Sequence, residues 1–349
     1  MSKQLNLGFN TGYWAGGPPA GAAEAIVEAE RLGFDSVWCS EAYGSDALTP
    51  LAWWGSRTER VRLGTAIAQI SARQPAATAM AAMTLDHLSG GRFILGLGAS
   101  GPQVVEGWYG MPFEKPLART REYVGILRDI WARQHPVSSG GSHYPLPLRE
   151  GPGVAGLGKP LKASIHPLRE DIPIFLAAEG PKNVALAAEV CDGWMAMLLS
   201  PHERFYADAL AEGFARPGAR RNAEEFEVAA MVPFIVNDDV EAAVDMVRPF
   251  YALYFGGMGA KNGQNFHANV AIRMGYERDI VEIQNLYLDG KKDEAATRIP
   301  SELIQKMSLV GSADKIRHDL EAWEDSFVTT LLISGDPTLL RHAADIVLD

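Results

Sequence analysis

The stretch FILGLGASGPQVVEGWYG, residues 93–110, decides how the rest of the chain is read. Phe93 to Leu97 is a short apolar run, which predicts a buried strand. The run ends in Gly98, Ser100 and Gly101, and Pro102 stands where a helix accepts proline in its first turn. Small residues at a strand-to-helix turn let backbone N–H groups approach a flat or anionic ligand closely. Taken alone, the turn is equally a device for redirecting the chain.

Outward from this motif the same alternation continues in both directions. Strand-like runs at 5–11, 36–40 and 61–67 precede it, and runs at 173–178, 193–198, 226–236 and 329–334 follow. Helical stretches lie between them at 21–32, 48–56, 75–89, 117–131, 181–190, 240–254 and 312–325, and Asp336-Pro337 opens a last one. Ser200-Pro201-His202-Glu203 has the form of a capping box for a further helix. Two segments, 135–171 and 256–307, read as excursions, the second with one amphipathic helix at 276–288. Eight strands each followed by a helix predict an α/β fold, a (β/α)8 TIM barrel. A doubly wound open sheet is the alternative. Insertions after strands four and seven, at about 110–171 and 256–307, favour the barrel, and the absence of a hydrophilic linker favours one domain over 1–349.

Composition narrows the function. The 349 residues are 47% hydrophobic and 21% charged, as expected of a globular chain with a sizeable core. No apolar run of membrane-spanning length and no secretory leader is visible, so a cytoplasmic protein is expected. A formal charge of −11 argues against nucleic acid and anionic membrane as partners and leaves a small-molecule substrate. The eight histidines are scattered, so no metal site is expected. Cys39 and Cys191 sit among apolar neighbours and read as buried reduced thiols.

In a barrel, ligand contacts collect where strands end. Those positions hold Tyr13 and Trp14; Ser40, Glu41 and Tyr43; Ala66, Ile67 and Gln69; Ala99, Ser100 and Gly101; Ala177, Ala178, Glu179, Gly180 and Pro181; and Met197. The set is small, apolar or aromatic and suits a flat heteroaromatic ring. Glu41 is the carboxylate placed as an acid or base, and an exposed loop glutamate is its plainer reading. Gly180-Pro181 puts a helix N-terminus where a phosphate could rest. Tyr13, Trp14, Tyr43, Trp53 and Trp108 suggest an apolar rim for a lipophilic or aromatic substrate. Lys159, Lys162 and Arg169 form a basic cluster, either solvated or facing an anionic tail.

Five segments carry a resemblance: GFDSVWCSEAYGSDALTPLAW (33–53), RVRLGTAI (60–67), LSGGRFILGLGASGPQVVEGWYG (88–110), KPLARTREYV (115–124) and FLAAEGPKNVALAAEVCDGW (175–194). Through them the chain resembles the coenzyme F420-dependent branch of the bacterial luciferase-like family over nearly its full length. The resemblance implies a barrel that holds a deazaflavin at its C-terminal mouth and transfers a hydride at ring C5. It implies a non-proline cis peptide at Ala66–Ile67, ring contacts from Ser40, Gln69, Ala99, Ser100 and Gly101, and a ribityl–phosphate seat at residues 177–181 bordered by Met197. Some relatives carry an acidic residue followed by histidine after strand two. Here Glu41 is followed by Ala42, so only the carboxylate carries over. Relatives are often dimers, so a homodimer or higher homo-oligomer is expected. An FMN-dependent luciferase-like monooxygenase is the nearest rival. A hydrolase or isomerase using Glu41 and Glu179, or a non-catalytic cofactor-binding protein, is a more distant one.

Overall fold

The computed structural model describes residues 4–259 and 265–348. Eight strands build its centre: β1 (Asn6–Asn10), β2 (Ser36–Cys39), β3 (Arg62–Thr65), β4 (Phe93–Gly98), β5 (Ile174–Ala177), β6 (Gly193–Met197), β7 (Glu227–Met231) and β8 (Thr330–Ile333). They pair in parallel in the order β3–β2–β1–β8–β7–β6–β5–β4. Leu63 opposite Phe93 and Gly64 opposite Ile94 join β4 back to β3, which closes the barrel. Leu7 opposite Leu331, Leu95 opposite Ile174 and Met195 opposite Ala229 set the register elsewhere.

Alternation along each strand separates two cores. Leu7, Phe9, Val37, Leu63, Leu95 and Leu331 belong to the large cluster shared with the surrounding helices. Trp38, Ile94, Phe175, Met195 and Leu332 fill the barrel interior, with the Trp38 and Phe175 rings 5.7 Å apart. Gly64 makes the space for them, since a Cβ there would stand 2.1 Å from the Trp38 ring. At the N-terminal end Arg62 links Asp35 (2.6 Å) to Glu227 (2.7 Å).

The helix signals resolve as expected at most ends. Pro75–Leu88, Pro116–Ala132, Pro181–Val190 and Pro337–Val347 all open on proline. Ser312 accepts from Lys315 N–H, and Asp336 from Thr338 and Leu339 N–H, as N-caps. Cys39 and Cys191 are free and buried, and burial pushes both thiols up to about 12. Among the described residues no helix is long and apolar enough to cross a membrane.

Four expectations need correction. The Ser200 box starts no helix: Ser200 O accepts from Glu203 N–H in a turn, and the helix begins later, as Phe205–Phe214. The seventh strand is two pieces, because Pro233 has no N–H for a continuous ladder. Its second piece, Phe234–Val236, pairs in parallel with Leu309–Gly311. The second excursion holds four helices, Ala268–Arg273, Glu277–Leu288, Lys292–Thr297 and Ser301–Lys306, around a cluster of its own that includes Tyr251, Phe255, Ile283 and Leu303. Three of the four span six residues, too few for an apolar period to show.

The first excursion lies elsewhere than over the mouth. After Pro116–Ala132 the chain runs along the outside of that helix and of Pro75–Leu88. There Tyr144 packs on Tyr123 at 5.4 Å and His166 O meets His87 Nε2 at 2.7 Å. Two members of the basic cluster tie it down: Arg169 binds Asp86 (2.7 Å) and the Phe93 carbonyl, and Lys162 binds the Gln134 carbonyl.

Candidate active site at the barrel mouth

A cavity of about 520 Å³ opens at the C-terminal ends of the strands, within the size range of sites for small organic ligands. Its floor comes from a kink after β3. The Ala66–Ile67 peptide is cis, and Ala68–Gln69 then rejoins the sheet opposite Leu97 and Gly98. Gly98 is the residue that admits this kink, because a Cβ there would lie 2.6 Å from Ile67 Cδ1. Ser100 takes a left-handed conformation, φ 58°, which turns Ala99, Ser100 and Gly101 along one wall before the helix Pro102–Gly107.

Glu41 forms one polar pole. It is buried, and its carboxylate accepts from Gln69 N–H at 2.7 Å and from Arg73 Nη1 at 2.8 and 3.0 Å. Burial pushes its carboxyl above the usual range, against the opposing pull of the Gln69 N–H and Arg73.

A second pole lies after β5. Trp194 Nε1–H donates to Ala178 O (2.8 Å), while Tyr206 OH (3.1 Å) and an Arg273 Nη2–H (2.7 Å) donate to Glu179 O, so the turn backbone is pinned from three sides. The Glu179 side chain turns to His267, whose Nδ1 lies 2.5 Å from Glu179 Oε1. The edge of the His267 ring meets Tyr254, centroids 4.9 Å apart. Tyr254 belongs to the π-helical turn Leu253–Gly257 and interacts electrostatically with Tyr13. Asn265 Nδ2 donates at 2.9 Å to both Tyr254 O and Phe255 O, which satisfies carbonyls in that turn. Burial pulls the His267 imidazole down, but the Glu179 carboxylate outweighs it and the net displacement is upward.

The structure gathers most of the expected residues around this cavity: Glu41, Ala66, Ile67 and Gln69 at the floor, Ala99, Ser100 and Gly101 on one wall. Ala177, Ala178, Glu179, Gly180 and Met197 stand opposite, with Tyr13 and Tyr43 at the rim. Five do not line it. Ser40 is buried and donates to Asn10 Oδ1 (3.1 Å), and Pro181 serves as the first residue of its helix. Trp14 packs on Trp54 at 5.7 Å, and Trp108 stands 64% exposed away from the mouth, as does Trp53. Large aromatic type alone therefore misassigned Trp14, Trp53 and Trp108. The lip that carries Tyr13 and Tyr43 also holds Phe113 and Phe266, rings 6.4 Å apart. Arg73, Tyr254 and His267 were not readable as site residues, since His267 comes from the insertion, Tyr254 from the π-helical turn that leads into it, and Arg73 lies beyond the kink.

A closed (β/α)8 barrel with a ring-sized, mostly apolar mouth defines an enzyme that works on small organic molecules. The chain belongs to the luciferase-like monooxygenase family, whose profile matches residues 7–330. It is 56% identical over 349 residues to a Mycobacterium tuberculosis protein provisionally named a coenzyme F420-dependent oxidoreductase, covering 99% of this chain and 100% of that one. It is 28% identical over 319 residues to the 5,10-methylenetetrahydromethanopterin reductase of Archaeoglobus fulgidus (88% and 87% covered). The coenzyme F420-dependent tetrahydromethanopterin reductase of Methanopyrus kandleri superposes with a TM-score of 0.81 at 20% identity, covering 100% of this chain and 99% of that one.

Proposed function

We propose that the protein is a coenzyme F420-dependent oxidoreductase that moves a hydride between the deazaflavin and an organic substrate. The observation that carries this is a pair of orphaned acceptors in an apolar cavity. Gln69 Oε1 and Asn183 Oδ1 are buried without a hydrogen-bond partner among the described residues, and both residues line the mouth. Buried polar atoms are rarely left so unless water, an ion or a ligand completes them, and these two face an open cavity of ligand size. Gln69 lies at the floor beside Ile67, suited to the N–H edge of a planar ring. Asn183 and Lys182 lie in the first turn of Pro181–Val190, whose N-terminus has no side-chain cap and suits an anionic tail.

When bound there, the deazaflavin would supply a hydride donor or acceptor at C5. The chain's own residues would do the rest. Ile67 and the wall at Ala99 to Gly101 hold the ring plane. Gly180 and Lys182 hold the tail. Glu41, with its oxygens already engaged by Arg73 and Gln69 N–H, fixes the floor in place. Support also comes from the 56% identical relative named for the same cofactor.

Spectroscopic titration of the protein with F420 and with FMN tests the reading. Saturable F420 binding with weak or no FMN binding is expected. Tight FMN binding without F420 binding would replace it with the monooxygenase reading.

A further inference from the structure

Resting on that reading, we propose that His267, held by Glu179, exchanges a proton with the substrate oxygen while the hydride moves, which makes the substrate an alcohol or its carbonyl counterpart. The position after Glu41 that could hold a histidine is Ala42. Glu41 itself is a poor shuttle, because both its oxygens are occupied by Arg73 and one also by Gln69 N–H. His267 is the histidine that lines the cavity among the described residues. Its contact with Glu179 sets the tautomer: Nδ1–H donates to the carboxylate, and Nε2 is the nitrogen that takes or gives the transferred proton.

The surroundings suit an oxygen. Tyr13, Tyr43 and Tyr254 interact electrostatically with one another on the same side of the mouth as Glu179, and burial raises the Tyr13 and Tyr254 hydroxyls, which favours their protonated, donating form. The titratable groups against His267 are Glu179 from the β5 turn and Tyr254 from the π-helical turn, with Tyr13 behind Tyr254. Arg273 and Tyr206 reach only the Glu179 carbonyl. In the oxidative direction the substrate O–H proton passes to Nε2. The C–H bond breaks with its electron pair, which leaves as hydride to the deazaflavin, and the C=O bond forms. The imidazolium then releases its proton to water, and reduction runs the same steps backwards.

The test uses the full chain loaded with F420. Turnover is measured with propan-2-ol, cyclohexanol, benzyl alcohol and their carbonyl products across pH. The histidine nitrogens are followed by ¹⁵N NMR with and without F420. We expect at least one pair to be converted, and His267 to carry Nδ1–H and to titrate above a free imidazole. His267→Asn and His267→Gln should keep F420 affinity and lose turnover about a hundredfold or more, together with one limb of the pH profile. Glu179→Gln should move that limb to lower pH. Unchanged turnover and profile in both His267 variants would overturn the proposal. So would a wild-type protein that binds F420 and converts no member of the panel. Failure to bind F420 at all would instead remove the reading on which it rests.

Discussion

Two single positions decide whether the mouth holds its shape. Gly98 carries no side chain so that Ile67 can pack onto β4, and Gly98→Ala would force a Cβ to within 2.6 Å of Ile67 Cδ1. The collision lies at the strand's end, so we expect the barrel to persist in circular dichroism while F420 affinity falls by about tenfold, roughly 1.4 kcal/mol. Unchanged affinity would mean that Ile67 does not support the ring. Glu41 makes the second case. As a positioning residue tied to Arg73 and Gln69, its replacement by Gln should weaken F420 binding and leave the pH profile of turnover with the same two limbs. Loss of a limb in Glu41→Gln would return the proton to Glu41.

At the scale of elements, what was legible followed from length and period. Strands such as β4 and long helices such as Pro116–Ala132 announce themselves through continuous apolar runs and terminal Pro or Gly. Ser312 and Asp336 cap as their sequence implies, Ser312 accepting from Lys315 N–H and Asp336 from Thr338 and Leu339 N–H. Ser200 does not cap a helix: its hydroxyl oxygen accepts from His202 N–H (3.4 Å) and its carbonyl from Glu203 N–H (3.2 Å), which closes a local turn. The π-helical turn Leu253–Gly257 has no sequence mark, since its freed carbonyls are satisfied by Asn265, a distant side chain. The floor and one wall of the site were therefore readable, being strand ends. The pole built from Tyr254 and His267 was not, because it depends on how the insertion folds back.

For the whole molecule, charge placement sets the acid limit. Asp192 is buried where Arg128 (2.5 Å), Arg220 (2.8 Å) and Arg221 (2.9 Å) converge beside the Ile174 N–H. Burial alone would raise its carboxyl, but Arg128, the Ile174 N–H and Arg220 outweigh it and hold it low. Arg121 and Arg216 likewise bring Glu189 down to about 2. Both carboxyls are lower in the folded chain than in the unfolded one. Their contribution is therefore complete above the ordinary carboxylate range, about pH 4, and is lost as pH falls toward 2. Glu41 acts in the opposite sense, as one group against that set. Melting temperature should stay level from pH 7 to about 5 and drop steeply below about 4. A flat profile down to pH 2 would show that these contacts add nothing.

The short parallel pair Phe234–Val236 and Leu309–Gly311 has a consequence for how such a protein diversifies. It brings the two ends of the segment 237–308, which contains the helix Val240–Ala252 and the second insertion, to within one strand spacing, about 4.8 Å. A segment whose two ends meet can be exchanged as a cassette without opening the ring of β1 to β8. It carries Tyr254, Phe266 and His267 with it and leaves Ile67, Gln69 and Ser100 behind. Recognition can thus drift between descendants while the seat of the chemistry is inherited unchanged.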